Sequence, residues 1–171
     1  MPSIHVCSLS RLEDTVARSG ARHLVTVINE GTPVTRPAAI APERHLFLGF
    51  NDITEPMAGM ILPAEAHIGK LLDFVSRWDR ATPLLVHCYA GISRSTAGAF
   101  IALCAAAPDR DEVEIAQRLR RASPTAFPNP LMVRYADAIL GRNGRMERAI
   151  AGIGPPTNAF EGQPFALPLR A

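Results

Sequence analysis

PLLVHCYAGISRSTAGAFIALC, residues 83–104, decides how this chain folds. An apolar run ends at His87-Cys88, and an alanine-rich helical pattern starts at Arg94. A short apolar run bounded by loop residues reads as a buried strand. The stretch therefore predicts strand, tight loop, helix, with a cysteine at the strand's carboxyl end. An arginine opening a helix is electrostatically odd, because helix N-termini carry partial positive charge. An anion held between the two would remove the oddity.

Working outward, strand and helix patterns alternate. SIHVCSL (3–9) predicts a strand, Ser10 caps a helix over 11–19, and Gly20 stops it. HLVTVIN (23–29) is β-branched and predicts a buried strand. The proline-bearing stretch 30–44 is a loop, and HLFLGF (45–50) is a third strand. Residues 51–62 read as a surface loop. Pro63 suits the first turn of a helix reaching about Arg80, with Ile68, Leu71, Leu72, Val75 and Trp78 on its core face. After strand 83–88 come helices over 94–107 and 111–122, the latter capped by Asp109 or Asp111. A Pro-rich break covers 123–130, followed by a helix over 131–140 and a short one near 146–153. This alternation predicts an α/β fold: one domain with a central, mostly parallel sheet of four to five strands and helices on both faces. The domain is expected over 1–147, with a C-terminal tail, 148–171, packed or loose. In such sheets ligands sit beyond the carboxyl ends of the strands. Cys88 ends one strand and Asp52 follows another, so both fall at one rim.

The 171 residues suffice for one cored domain. A net charge of +2 argues against a nucleic-acid binder, which usually shows a basic stripe. The densest basic run, Arg118–Arg121, follows Glu112 and Glu114 and reads as a solvated helix face. Cys7, Cys88 and Cys104 have no metal-ligand spacing. Three free thiols with no signal-like N-terminus predict a reducing, cytoplasmic setting. The longest apolar stretch, around Ala97–Ala107, is too short to span a bilayer. No metal, cofactor, nucleic acid or membrane is implied, and oligomeric state is left open.

The loop's chemistry follows from its position. Helix N-termini expose unpaired amides, and a tight loop before one aims more of them inward as an anion nest. Gly91 supplies the freedom such a curl requires. The amides of Tyr89, Ala90, Gly91, Ile92, Ser93 and Arg94 would receive an oxyanion, with the Tyr89 and Ile92 side chains at the mouth. Cys88 lies at the base, where nest, helix dipole and Arg94 all favour its thiolate. Arg94 offers a planar fork matching two phosphate oxygens. Ser95 can reach back to the sulfur. His87 points away from the anion and is expected to order the loop through backbone hydrogen bonds.

His-Cys-x5-Arg-Ser at a strand-to-helix junction resembles the signature loop of the cysteine-dependent protein tyrosine phosphatases, most of all their dual-specificity branch. LGFNDITEP (48–56) is similar to that branch's general-acid stretch, and PNP (128–130) resembles a Pro-Asn element that follows the loop's helix. The run from residue 3 to about 147 looks like a group of small bacterial tyrosine-phosphatase-like proteins. The resemblance implies a phosphoester hydrolase acting on phosphotyrosine, and perhaps on phosphoserine and phosphothreonine, of proteins. Cys88 would form a phosphocysteine, Arg94 bind phosphate, Asp52 serve as general acid and then base, and Ser95 assist the sulfur. Asn129 would brace the loop or end a turn. No Trp-Pro-Asp stretch is present; Asn51-Asp52 stands in its place, with Glu55 and Asp73 as competing carboxylates. No lysine lies between Cys88 and Arg94, which disfavours a phosphoinositide substrate.

Blander readings stand beside these. Cys88 could be a buried structural thiol, and Asp52 a turn residue. Cys7 and Cys104 read as small core hydrophobes, with a backup-disulfide role a minor alternative. His5, His23, His45 and His67 share no ligand spacing. Two other functions compete: a phosphate-binding pseudoenzyme or adaptor, which has no need of the thiol, and a rhodanese-like sulfurtransferase, which leaves Asp52 and Ser95 without a task. Hydrolysis of p-nitrophenyl phosphate separates the first, and thiosulfate-to-cyanide transfer the second.

Overall fold

The computed structural model describes residues 1–170. Its centre is set by two apolar runs. β2 (His23–Ile28) and β4 (Leu84–Cys88) are buried at every position, as strands covered on both faces must be. Around them the sheet order is β3-β2-β4-β1-β5, with β1 at Ser3–Ser8, β3 at His45–Gly49 and β5 at Phe165–Pro168. β1, β2, β3 and β4 are parallel to one another, and β5 pairs antiparallel with β1.

Side-chain alternation divides the core in two. Ile4, Val6, Val25, Val27, Leu84 and Val86 face the main cluster. Against them pack α2 (Glu65–Arg77), α3 (Arg94–Ala106), α4 (Glu112–Ala122), α5 (Pro130–Ile139) and α6 (Arg145–Ala151). The other face carries Cys7, Leu24 and Leu85 under α1 (Leu12–Ser19). The expected α/β sheet with helices on both faces is therefore present, with the helices unequally shared. α3 runs against the sheet and is apolar nearly all round. A Cβ on Gly98 would lie 3.0 Å from Val86 Cγ1, so this glycine allows the close approach of helix and sheet.

Ser10 lies in a 3-10 turn, Leu9–Arg11, and does not cap α1; two larger features also depart from the reading of the sequence. The basic run is not simply a solvated face. The Arg120 guanidinium donates to the carbonyls of Ser123, Pro124, Ala126, Ile153 and Gly154, and Arg118 to those of Pro168 and Arg170. A carbonyl oxygen has two lone pairs, so Ser123 and Pro124 accept from Arg120 as well as from the Ala126 and Thr157 N–H groups. The second departure is β5, whose four residues escaped recognition as a strand. Beyond α6 the chain returns to the sheet, with register Val6↔Phe165 and Ile4↔Leu167. α6 runs through position 147, and Phe165–Pro168 beyond it pairs with β1, while most of residues 154–161 are exposed.

The four parallel strands end at one rim. Ser8, Asn29, Phe50 and Cys88 lie at or just past their carboxyl ends, and Ser8 is Cys88's cross-strand neighbour.

Candidate active site

The loop leaves β4 at Cys88 and enters α3 at Arg94. Cys88 is 3% exposed. Gly91 N–H donates to its Sγ at 3.2 Å, and Ser95 Oγ lies 3.0 Å from the same sulfur. Gly91 adopts φ +72°, and a Cβ there would meet Ser8 N at 2.9 Å. Both the backbone angle and the space therefore require glycine. The amides of Ala90, Ile92, Ser93 and Arg94 have no protein acceptor among the described residues, while the carbonyls of Tyr89, Ala90, Ile92 and Ser93 are bonded from outside. Carbonyls out and amides in is the arrangement of an anion nest.

Arg94 is 7% exposed. Its Nη1 donates to Asn29 Oδ1 at 2.7 Å and to the Phe50 carbonyl at 2.6 Å. Both acceptors sit at the rim, just past β2 and β3. Two of the five guanidinium N–H groups are thereby fixed, and three remain for a ligand. A cleft of about 340 Å³ opens here, lined by Ile28, Asn29, Thr32, Tyr89 and Arg94. Tyr89 is 67% exposed at its edge.

Asp52 Oδ1 accepts from Ser93 Oγ at 2.8 Å and from Asn129 Nδ2 at 2.9 Å. Its carboxylate therefore meets the loop. Of the competing carboxylates, Asp73 pairs with Arg77 on α2 at 2.7 Å, and Glu55 is exposed. The 51–61 loop is closed at its ends, where Asn51 N–H donates to the Ile61 carbonyl and Ile61 N–H to Asn51 Oδ1, both at 2.8 Å. Asn129 links several parts. Its Oδ1 caps α5 by accepting from Leu131 and Met132 N–H, with Pro130 at the first helical position. Its Nδ2 also reaches the Ile53 carbonyl at 3.2 Å, and its N–H reaches the Ser93 carbonyl at 3.3 Å.

His87 is fully buried, behind the loop. Its Nδ1 lies 3.3 Å from the Cys88 carbonyl and its Nε2 lies 2.8 Å from Thr26 Oγ1, which lies 2.7 Å from His45 Nε2. One set of protons satisfies this chain: His87 Nδ1–H donates to the carbonyl, Thr26 donates to His87 Nε2, and His45 Nε2–H donates to Thr26. Burial pushes the His87 imidazole down to about 4. Its folded value lies below the unfolded 6.5, so its contribution is complete above about pH 6.5 and is lost as pH falls toward 4. His5, His23, His45 and His67 are lowered by burial too and add to the same acid sensitivity. Thermal denaturation from pH 8 down to 4 should show Tm falling in that window. His87→Gln should lie lower at neutral pH but fall less steeply; an equal slope would exclude His87 as a contributor.

Cys7 belongs to the opposite sheet face from Cys88, and burial pushes its thiol up to about 12. Cys104 lies in the last turn of α3 and is likewise pushed up to about 12 by burial. All three cysteines are free. Sequence reading missed Asn29 and Thr26. A lone asparagine after a strand signals only a turn, and a strand threonine only a β-former. Among the described residues no group of three or more His, Cys, Asp or Glu side chains could hold a metal ion, and no helix is long and apolar enough to cross a membrane.

No protein-family model matches the sequence, and no curated protein does. Solved structures do match. Human DUSP28 is 22% identical over 82% of this chain and 89% of its own, with a TM-score of 0.61. The phosphatase domain of Yvh1 from Chaetomium thermophilum is 19% identical over 84% of this chain and 93% of its own, at 0.62. PTPMT1, solved in complex with PI(5)P, is 17% identical over 87% and 94%, at 0.60. The chain thus shares the fold of these solved phosphatases. Identities this low carry the fold; what the site does must be argued from its own residues.

Proposed function

We propose that the chain is a phosphoester hydrolase that works through a phosphocysteine on Cys88. One observation carries this reading: Gly91 N–H and Ser95 Oγ converge on a sulfur at the base of a loop whose amides face inward. In the first step the Cys88 thiolate attacks phosphorus. An S–P bond forms, the P–O bond to the leaving group breaks, and the Asp52 proton passes to the departing oxygen. Asp52 Oδ1 is occupied by Ser93 and Asn129, which leaves Oδ2 to carry that proton. Throughout, Arg94 and the loop amides hold the equatorial oxygens. In the second step the Asp52 carboxylate takes a proton from water, whose oxygen attacks phosphorus. The sulfur leaves as a thiolate, stabilised by the Ser95 hydroxyl and Gly91 N–H.

Phosphotyrosine of proteins is the preferred substrate in this reading, with phosphoserine and phosphothreonine as further candidates; exposed Tyr89 suits stacking against an aromatic ring. The loop carries no lysine, so phosphoinositides are disfavoured although one structural neighbour was solved with one. Three unpaired cysteines suit a reducing, cytoplasmic setting.

Hydrolysis of p-nitrophenyl phosphate and of phosphotyrosyl and phosphoseryl peptides tests the reading. Asp52→Asn should lower turnover of peptides, whose leaving groups need a proton, by about 10²-fold or more. A rate within about threefold of wild type, well under 1 kcal/mol of barrier, would assign the acid elsewhere.

A further inference from the structure

A trans peptide is planar and points its C=O and N–H in opposite directions. Whatever grips a loop carbonyl from outside therefore aims the partner amide inside. The Ile92 carbonyl is gripped by Phe127 N–H at 2.9 Å and Thr96 Oγ1 at 2.6 Å. The Ser93 carbonyl is gripped by Asn129 N–H and Thr96 Oγ1, and the Tyr89 carbonyl by Leu9 N–H at 3.1 Å. A further plane, Ala90–Gly91, is the one whose N–H meets Cys88 Sγ. Its carbonyl is held from the C-terminal segment, by Gly162 N–H at 2.8 Å.

That contact is built rather than incidental. Gly162 is buried, and a Cβ there would lie 2.6 Å from the Gly91 carbonyl oxygen and 3.3 Å from Thr125 Oγ1. On its other side Gly91 abuts the Cys7–Ser8 backbone. The Ala90–Gly91 unit is thus wedged between β1 and residue 162. Next door, the hydroxyls of Ser8 and Ser10 both donate to Glu161 Oε1. From Phe165 the chain pairs with β1 as β5. Arg120 and the Thr157 N–H hold the start of the strap between α6 and β5, and Glu161 latches its end, beside the loop.

We propose that Gly162, latched by Glu161, is a positioning residue for the nucleophile: this C-terminal strap sets the Gly91 N–H on Cys88 Sγ. The functional consequence rests on the hydrolase reading, but the effect on the sulfur does not. Lifting the strap frees the Ala90–Gly91 peptide to rotate, and the thiolate loses a donor.

The test compares Glu161→Ala, Glu161→Gln and Gly162→Ala with wild type. Trp78→Phe serves as a control; it loses the Nε1 bond to the Thr82 carbonyl at the far end of β4. Three quantities are read: alkylation of Cys88 by iodoacetamide near pH 6, where only a stabilised thiolate reacts quickly, kcat on p-nitrophenyl phosphate, and Tm. Gly162→Ala and Glu161→Ala should slow both alkylation and kcat about tenfold, the factor for losing one hydrogen bond to a charged group. KM should change less, since Arg94 and the other amides remain. Removing a carboxylate would by itself favour a nearby thiolate, so slower alkylation in Glu161→Ala reports the lost hold. Glu161→Gln keeps an acceptor for both serines and should stay within about threefold of wild type. Trp78→Phe should lower Tm and leave alkylation unchanged.

Gly162→Ala and Glu161→Ala variants that both stay within about twofold of wild type would overturn the proposal. So would Trp78→Phe slowing alkylation in step with its Tm. Alkylation needs no substrate, so a wild type that turns over no phosphoester while its alkylation still depends on the strap would refute the hydrolase reading and uphold this one. A Cys88 that alkylates no faster than the thiols of the unfolded chain would refute both.

Discussion

Cys88→Ser should lower turnover of p-nitrophenyl phosphate by about 10⁴-fold or more, the scale seen when a covalent nucleophile is removed, while vanadate still binds. The two halves follow from different atoms. Turnover needs a sulfur able to form and break an S–P bond at neutral pH, and a serine hydroxyl at the same place stays protonated. Vanadate binding needs the inward amides and the three free N–H groups of Arg94, none of which this substitution removes. Phosphate release should be followed under saturating substrate, and vanadate affinity by calorimetry. A serine variant that keeps a tenth of wild-type turnover would show that the sulfur is not the nucleophile. Loss of vanadate binding together with turnover would mean that the loop collapses without sulfur.

Arg94→Lys should cost about 10²- to 10³-fold in kcat, the range for removing a donor aimed at transition-state charge. It should also weaken vanadate binding and lower Tm. Arg94 bridges two duties. Its Nη1 satisfies the Asn29 side chain and the Phe50 carbonyl at the ends of neighbouring strands, and the rest of its fork faces the cleft. A lysine ammonium is a point charge on a flexible stem and cannot grip two oxygens in one plane while holding those acceptors. Asn29 and the Phe50 carbonyl then stand unpaired beside the sheet, which destabilises the fold. Retention of wild-type kcat in Arg94→Lys would deny the arginine its part in charge stabilisation. Asn29→Ala should show a weaker form of the same defect, since it removes one of the two anchors of Nη1.

The sheet was legible because its strands are short apolar runs separated by helical periodicity, and because HCYAGISRS marks where one strand turns into a helix. β5 was not legible. FALP is four residues long, carries a proline and lies at the sheet edge, where pairing depends on β1 rather than on its own pattern. The same limit hid the strap. Glu161 and Gly162 are a polar residue and a glycine in a Pro/Gly-rich tail, and only their meeting with Ser8, Ser10 and Ala90 gives them meaning. Asn29 was invisible for a related reason: it meets Arg94 across 65 residues of sequence. Asp52 was singled out from its likeness to a known acid stretch, and the fold brings its carboxylate to Ser93 and Asn129. Arg118 and Arg120 show the opposite case. Charge pattern alone suggests solvent, while the carbonyls of Pro168 and Pro124 accept from these side chains and hold both against the protein.

Trapping the intermediate tests the central claim most directly. Asp52→Asn is mixed with p-nitrophenyl phosphate, whose leaving group needs no proton, so the first step proceeds and the second slows. After rapid acid quench, the digested protein is read by mass. The account predicts one phosphoryl group on the peptide carrying Cys88, bound through sulfur, and none in the Cys88→Ser variant. Steady hydrolysis with no phosphorylated peptide at any time, or with the phosphoryl group on another residue, would contradict it.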